Sequence, residues 1–407
     1  MPKRFDTRLA LVIHGAVHPQ FQPMLDAFAA VLDDDDAGAA VAVVRDGELV
    51  VDLWGGRDPI SGRAWERDSA TIAFSAAKGV VALLVAMQVQ AGRLDPAAPV
   101  AEYWPEFAAG GKARITVADV LTHVAGLPEL PLRQVDDLLD PVALAARVAD
   151  LEPAYPPRSA RVYHVLSYGL LAGELLRRVT GRDVGELLRE RVAAPLGAAL
   201  WLGLPASEDW RYLPALMDPV VAPPPPQALP GDAGLACIAA ARATDQIIPL
   251  FERVDGVIGT EAVNGTDFRR ALVPGGGLVA DARSLARVYG ACVAEVDGVR
   301  LIDDATVRMV SADWLGGIPE PPCLPGSVPT TRWGLGFELS HVHCGMLGVG
   351  SFGHAGMGGR LAFAHAPSRI GFAFVGQRMR FPAPGADERW RRLLGALEPI
   401  ARAAEVG

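Results

Sequence analysis

Lysine is nearly missing from this 407-residue chain: Lys3, Lys78 and Lys112 are the only three among 38 basic residues. With a net charge of −9 and no cluster of Lys and Arg among aromatics, a nucleic-acid partner is excluded. Cysteine is also scarce. Cys237, Cys292, Cys323 and Cys344 show neither metal-ligand spacing nor the pattern of a disulfide framework, so free thiols are expected. Long apolar runs are absent as well. Leu9 to Ile13 is short and broken by His14, too little for a signal segment or a membrane span, which predicts a cytoplasmic protein with no membrane partner.

Other familiar signals stop short. His341, His343 and Cys344 have no partner spacing that completes a zinc site, and His-x-His is also what one face of a strand looks like. Gly55-Gly56 and Gly275-Gly276-Gly277 lack a phosphate-loop lysine or a dinucleotide fingerprint and read as turns. No cofactor and no metal are implied. Val349-Gly350-Ser351-Phe352-Gly353 misses Gly-x-Ser-x-Gly at its first position, which disfavours an α/β-hydrolase. The chain is half apolar, enough for a substantial core in one large or two ordinary domains, and a small-molecule role fits best.

Sheet signals stand at both ends. Val41 to Arg45 and Leu49 to Leu53 flank Asp46-Gly47, a strong hairpin turn, after an amphipathic stretch from Phe21 to Leu32. The acidic run Asp33 to Asp36 reads as a solvated helix end. Arg360 to His365 and Ile370 to Gln377 form a second strand pair, followed by a helical stretch from Asp387 to Ala404. Between about Val80 and Thr260 helical periodicity dominates, with proline-rich interruptions such as Pro223 to Pro226, read as a rigid loop wall. The expected organisation is an α/β domain built from residues 1–80 and 261–407, with a mainly helical region, 81–260, inserted.

One of the three lysines stands three residues after a serine, in Ser75-Ala76-Ala77-Lys78. Arginine cannot give up its proton at working pH, whereas a dehydrated lysine can, so position 78 asks for chemistry arginine cannot do. The apolar run Gly79 to Met87 predicts a buried helix starting near Ser75, which puts Ser75 and Lys78 on one face beside free backbone N–H groups. Serine, neutral lysine and N–H donors make an acylation centre. The same residues would equally serve as a capping serine and a lysine reaching solvent.

Further segments carry a resemblance. Ile115 to Leu127 (ITVADVLTHVAGL), Val162 to Glu174 around Tyr163, Pro274 to Leu278 with Ser284 to Arg287, Trp333-Gly334-Leu335-Gly336-Phe337 and Gly353-His354-Ala355-Gly356 resemble segments of class C β-lactamases, penicillin-binding proteins and family VIII carboxylesterases. The likeness spans most of the chain. It implies an α+β fold, with an antiparallel sheet flanked by N- and C-terminal helices and an inserted mainly helical region. It also implies an acyl-serine on Ser75, with Lys78 and Tyr163 as acid–base groups. Tyr163 is assigned the proton transfer and Lys78 the tuning of both hydroxyls, with the roles open to exchange. The resemblance puts an oxyanion hole at the N–H groups of Ser75 and Met357, and substrate contacts at Trp333, His354 and Gly356. Trp333 as a core residue and His354 as a strand-ordering residue are the alternatives.

Two departures bear on substrate. Val165 replaces the amide-binding Asn of Tyr-x-Asn, and His354-Ala355-Gly356 replaces Lys-Thr-Gly, removing the cation that pairs with a β-lactam carboxylate. The expected activity is hydrolysis of small-molecule carboxylic esters with short or medium acyl groups, and weak or no β-lactamase activity. β-Lactamase, D-amino-acid amidase or peptidase, and acyltransferase are neighbouring readings, and a non-catalytic binding relative is the reading from another class. Nothing in the sequence fixes the oligomeric state.

Overall fold

The computed structural model describes residues 12–405 except 218–228, 248–249, 252, 255–256, 259, 316, 322, 324–330 and 382–386. The apolar run at Leu9 and the proline run at Pro223 thus lie wholly or mostly outside the described residues.

Both ends of the chain feed one antiparallel sheet. From the N-terminal side come β1 (Ile13–Val17), β2 (Ala39–Arg45) and β3 (Glu48–Gly55), with helix α1 (Pro23–Asp35) between the first two. Asp46 and Gly47 take positive φ, 50° and 88°, as a two-residue hairpin turn requires. Next follow β4 (Thr71–Phe74), helix α2 (Ala76–Gln90), the short helix α3 (Val117–Leu121) and α4 (Ser167–Thr180). Beyond them lie β5 (Leu200–Leu202), α5 (Gly231–Asp245), β6 (Leu278–Ala280) and α6 (Ala282–Val293). The C-terminal part supplies β7 (Arg332–Trp333), β8 (Glu338–Leu339), β9 (Ser351–Gly356), β10 (Arg360–His365), β11 (Ile370–Gly376) and α7 (Glu388–Glu405). The large sheet runs β1-β3-β2-β11-β10-β9-β8-β7, so the two predicted hairpins meet where β11 pairs with β2.

Alternation along the strands sorts two cores. Val41, Val43, Leu361, Phe363 and Phe372 face α1 and α7, meeting Met24, Phe28, Leu393 and Leu397. On the other face Ala42, Ala362, Ala364 and Ala373 are small, which lets α2 and α6 approach closely. At the tightest point a Cβ on Gly371 would lie 2.2 Å from the backbone N of Gly290, so only glycine fits there.

A second sheet, β4-β6-β5, carries the segment that matters most. β4 ends at Phe74, whose φ of 47° is rare for a bulky residue, after a register shift between Ile72 and Phe74. That turn delivers Ser75 to the first position before α2.

Three expectations are corrected. His341 to Cys344 is a tight turn closed by backbone hydrogen bonds between those two residues, not a strand face. Cys237 on α5 is disulfide-bonded to Cys323, while Cys292 and Cys344 are free and buried. Eighty-six residues separate the bonded pair, so no local spacing announces it. The acidic helix end is not wholly solvated: Asp35 is buried and bonded to Arg389 and Arg380. Among the described residues no helix is long and apolar enough to cross a membrane, and no group of three His, Cys, Asp or Glu is placed to hold a metal ion.

Candidate active site

Ser75 sits at the N-terminus of α2 with no side-chain capping bond, and Lys78 is fully buried, so neither fills the role of cap or snorkelling cation. Lys78 Nζ lies 3.1 Å from Ser75 Oγ and 2.6 Å from Gly275 O. Burial without a carboxylate partner pulls the Lys78 ammonium down to about 7. Gly275, read from sequence as a plain turn residue, therefore orients the lysine through its carbonyl. The turn is itself wedged in place, since a Cβ on Gly169 would lie 2.0 Å from Gly275 N.

Tyr163 stands in the loop before α4. Ser75 lies near its hydroxyl, and Lys78 Nζ lies 4.9 Å from its ring centroid. Burial pushes the phenol well above its ordinary value, with Ser75 opposing the rise and Glu338 adding to it. Two histidines hold this loop. His164 Nδ1 donates to Val162 O (2.6 Å), so its Nε2 is free to accept from Leu127 N–H (3.1 Å). The His164 N–H is given to His123 Nδ1 at 3.0 Å, which leaves the His123 proton on Nε2. Burial lowers both imidazoles, His164 to about 4, so both are neutral at pH 7.

Trp333 is 2% exposed and packs its ring 4.4 Å from His123 and 5.9 Å from Tyr163, measured between centroids. It is thus a core residue and the flank of Tyr163 at once. His354 Nδ1 donates to Ala355 O (2.6 Å), its ring is 6.0 Å from that of Tyr163, and its Nε2 has no hydrogen-bond partner among the described residues. Burial takes it down to about 4 against the upward pull of Glu338. The imidazole is therefore neutral and bonded within its own strand.

Glu338, which sequence reasoning passed over, is the carboxylate behind that strand. It accepts from Ala355 N–H (2.8 Å) and His341 Nε2 (2.8 Å). Burial alone would raise it, but the His341 bond, the neighbouring His354 and the Ala355 N–H hold it at about 2. Gly356 ends β9 against β4: a Cβ there would lie 2.2 Å from Ala73 O, so the start of the Met357 turn and the end of the strand leading to Ser75 run side by side. The arrangement can abstract a proton from a serine hydroxyl with a neutral amine, beside a backbone turn placed to offer N–H groups.

Comparison with known proteins assigns the family. The β-lactamase family profile matches residues 26–397. The chain belongs to the β-lactamase family. Esterase/beta-lactamase LipL of Mycobacterium tuberculosis is 35% identical over 379 residues, covering 91% of this chain and 84% of that protein. Among solved structures, a family VIII carboxylesterase superposes with a TM-score of 0.79 at 32% identity, covering 97% of this chain and all of the other. A penicillin-binding protein homologue from Caulobacter crescentus gives 0.78 at 32%, with the same coverage. As a member of this family, with esterase-named relatives, the chain is a serine hydrolase. The expected α+β, class C β-lactamase-like architecture is the one observed.

Proposed function

We propose that the protein hydrolyses small-molecule carboxylic esters through an acyl intermediate on Ser75. The observation that carries this reading is Lys78, dehydrated to about 7 and 3.1 Å from Ser75 Oγ, within reach of the hydroxyl proton. Neutral Lys78 takes that proton as Oγ attacks the ester carbonyl carbon. Because burial raises Tyr163 while lowering Lys78, the base role passes from the tyrosine to the lysine, and the Tyr163 hydroxyl relays the proton to the departing alkoxide. The N–H groups of Ser75 and Met357 receive the oxyanion, at the end of β4 and just after β9. Water then attacks the acyl-enzyme, giving its proton to the same relay, and releases the acid. Ester and water become acid and alcohol, with the enzyme unchanged.

The substrate preference follows from Val165 and His354. A valine side chain offers no amide to a β-lactam acyl group, and a neutral imidazole bonded to Ala355 O offers no ion pair to its carboxylate. Short and medium acyl esters need neither contact. The relatives named as esterases support that choice. The test is hydrolysis of p-nitrophenyl acetate and butyrate by wild type and Ser75→Ala, with intact-mass detection of the adduct. One acyl group per chain, absent from Ser75→Ala together with the activity, is expected; turnover that survives in the variant overturns the reading. Nitrocefin turnover comparable to that of the esters would overturn the preference.

A further inference from the structure

We propose that Arg360 is a positioning residue for acyl transfer, its buried guanidinium bracing from behind the two backbone segments that carry the Ser75 and Met357 N–H groups. The inference rests on the acyl-Ser75 reading above. Arg360 is 1% exposed and opens β10 directly across from Gly356. Its Nε donates to Ile72 O at 3.2 Å, three residues before Ser75. Its Nη1 reaches Met357 O and Gly358 O, both at 3.4 Å, and its Nη2 donates to Gln377 O at 3.2 Å. The guanidinium carbon lies 5.3 Å from the ring centroid of Phe74, the positive-φ residue that aims Ser75. One planar group with donors in a rigid fork therefore touches both sides of the oxyanion hole.

Its partners are all carbonyls; among the described residues no carboxylate lies within ion-pair distance of Arg360. The adjacent Arg389 differs, being saturated by Asp35 (2.8 Å) and Asp387 (2.6 Å) while giving Gly358 O a 2.7 Å bond. Trp390 Nε1 donates to Gly359 O at 2.8 Å. The turn after β9 is thus fixed at Met357, Gly358 and Gly359 by α7 and Arg360 together, and Arg360 alone also reaches β4. Burial, with Arg389 adding, lowers its guanidinium to about 9, still cationic at pH 7. A charge so placed favours the developing oxyanion over the neutral ester.

The experiment compares wild type, Arg360→Gln and Arg360→Lys, each normalised to the fraction of Ser75 that a fluorophosphonate titrates. Arg360→Gln is expected to lower kcat per titrated site about tenfold or more, with the KM for p-nitrophenyl butyrate little changed. The affinity for phenylboronic acid, which forms an anionic tetrahedral adduct on serine, should fall by a similar factor. Arg360→Lys should recover part of both. Wild-type kcat and boronate affinity per titrated site, with only the melting temperature or the titrated fraction reduced, would show a purely structural role and overturn the proposal. Should Arg360→Gln fail to fold, Arg360→Lys decides alone: a parallel loss in kcat and boronate affinity supports the brace, and wild-type values sink it. Failure of the acyl-Ser75 reading is separate, because it appears as no adduct on wild type.

Discussion

Two lysines of this chain are sealed from solvent, and they have been put to opposite uses. Lys112 donates to the carbonyls of Ala109 (2.7 Å), Ala149 (3.0 Å) and Leu151, and its Nζ lies 5.3 Å from the Phe107 ring centroid. Burial lowers it, but Asp150 and Glu152 pull back. Lys78 has one carbonyl, Gly275 O, and a serine hydroxyl, and only burial acts on it. Dehydration is common to both; what differs is how many acceptors repay the ammonium form. Three carbonyls make a staple. One carbonyl and a serine hydroxyl leave an ammonium that gives up its proton easily.

The sharpest break of that comparison is the pair Lys78→Met and Lys112→Met. Lys78→Met should cost about 10³-fold or more in kcat/KM for p-nitrophenyl butyrate, through loss of the acid–base group, with the melting temperature held or raised. Lys112→Met should leave kcat per folded molecule unchanged and destabilise by about 3 kcal/mol, since three carbonyls lose their donor, read as a shift in urea midpoint. Swapped phenotypes would refute the distinction.

The pH profile comes next. A base that is competent only when neutral gives a kcat/KM that falls about tenfold per pH unit below its pKa, so the acid limb should bend near 7. The linkage has the same sign in stability. Lys78 is protonated in the unfolded chain up to its ordinary value of 10.5, and in the folded protein only up to about 7. The unfolded state binds the extra proton between these values, so the Lys78 contribution to stability rises with pH from about 7 toward 10.5. In Lys78→Met that rise should vanish from urea midpoints measured across this range.

The smallest expected effect concerns covalent pairing. Alkylation under denaturing conditions should modify two cysteines, Cys292 and Cys344, before reduction and all four after it. Four before reduction would remove the Cys237–Cys323 clamp from the account.

The hairpins and the large sheet were legible because their signals are local. Alternation in Val41 to Arg45, Asp46-Gly47 and the run Arg360 to His365 each announce themselves within a few residues. Ser75 and Lys78 were legible for the same reason, one helical turn apart. Glu338, Gly275 and Arg360 were not. Each takes part in a bond to or from a backbone atom of another segment: Gly275 O receives Lys78, Glu338 receives the Ala355 N–H, and Arg360 reaches Ile72 O 288 positions away, and backbone atoms carry no sequence identity. Asp35 misled because an acidic run looks solvated until Arg389, 354 positions on, folds back onto it. His341 to Cys344 misled because period-two spacing over three residues fits a turn as well as a strand.

The hold of α7 on the turn after β9 has a consequence for the protein's birth. Ser75 and α2 leave the ribosome early, yet the Met357–Gly359 turn is pinned by Arg389 and Trp390, which are synthesised some three hundred positions later. A nascent chain that has not yet exposed residues 388–405 lacks the bonds from Arg389 to Gly358 O and from Trp390 to Gly359 O. The turn that the proposed oxyanion hole needs can therefore be pinned from this side only after that helix has been made and has docked.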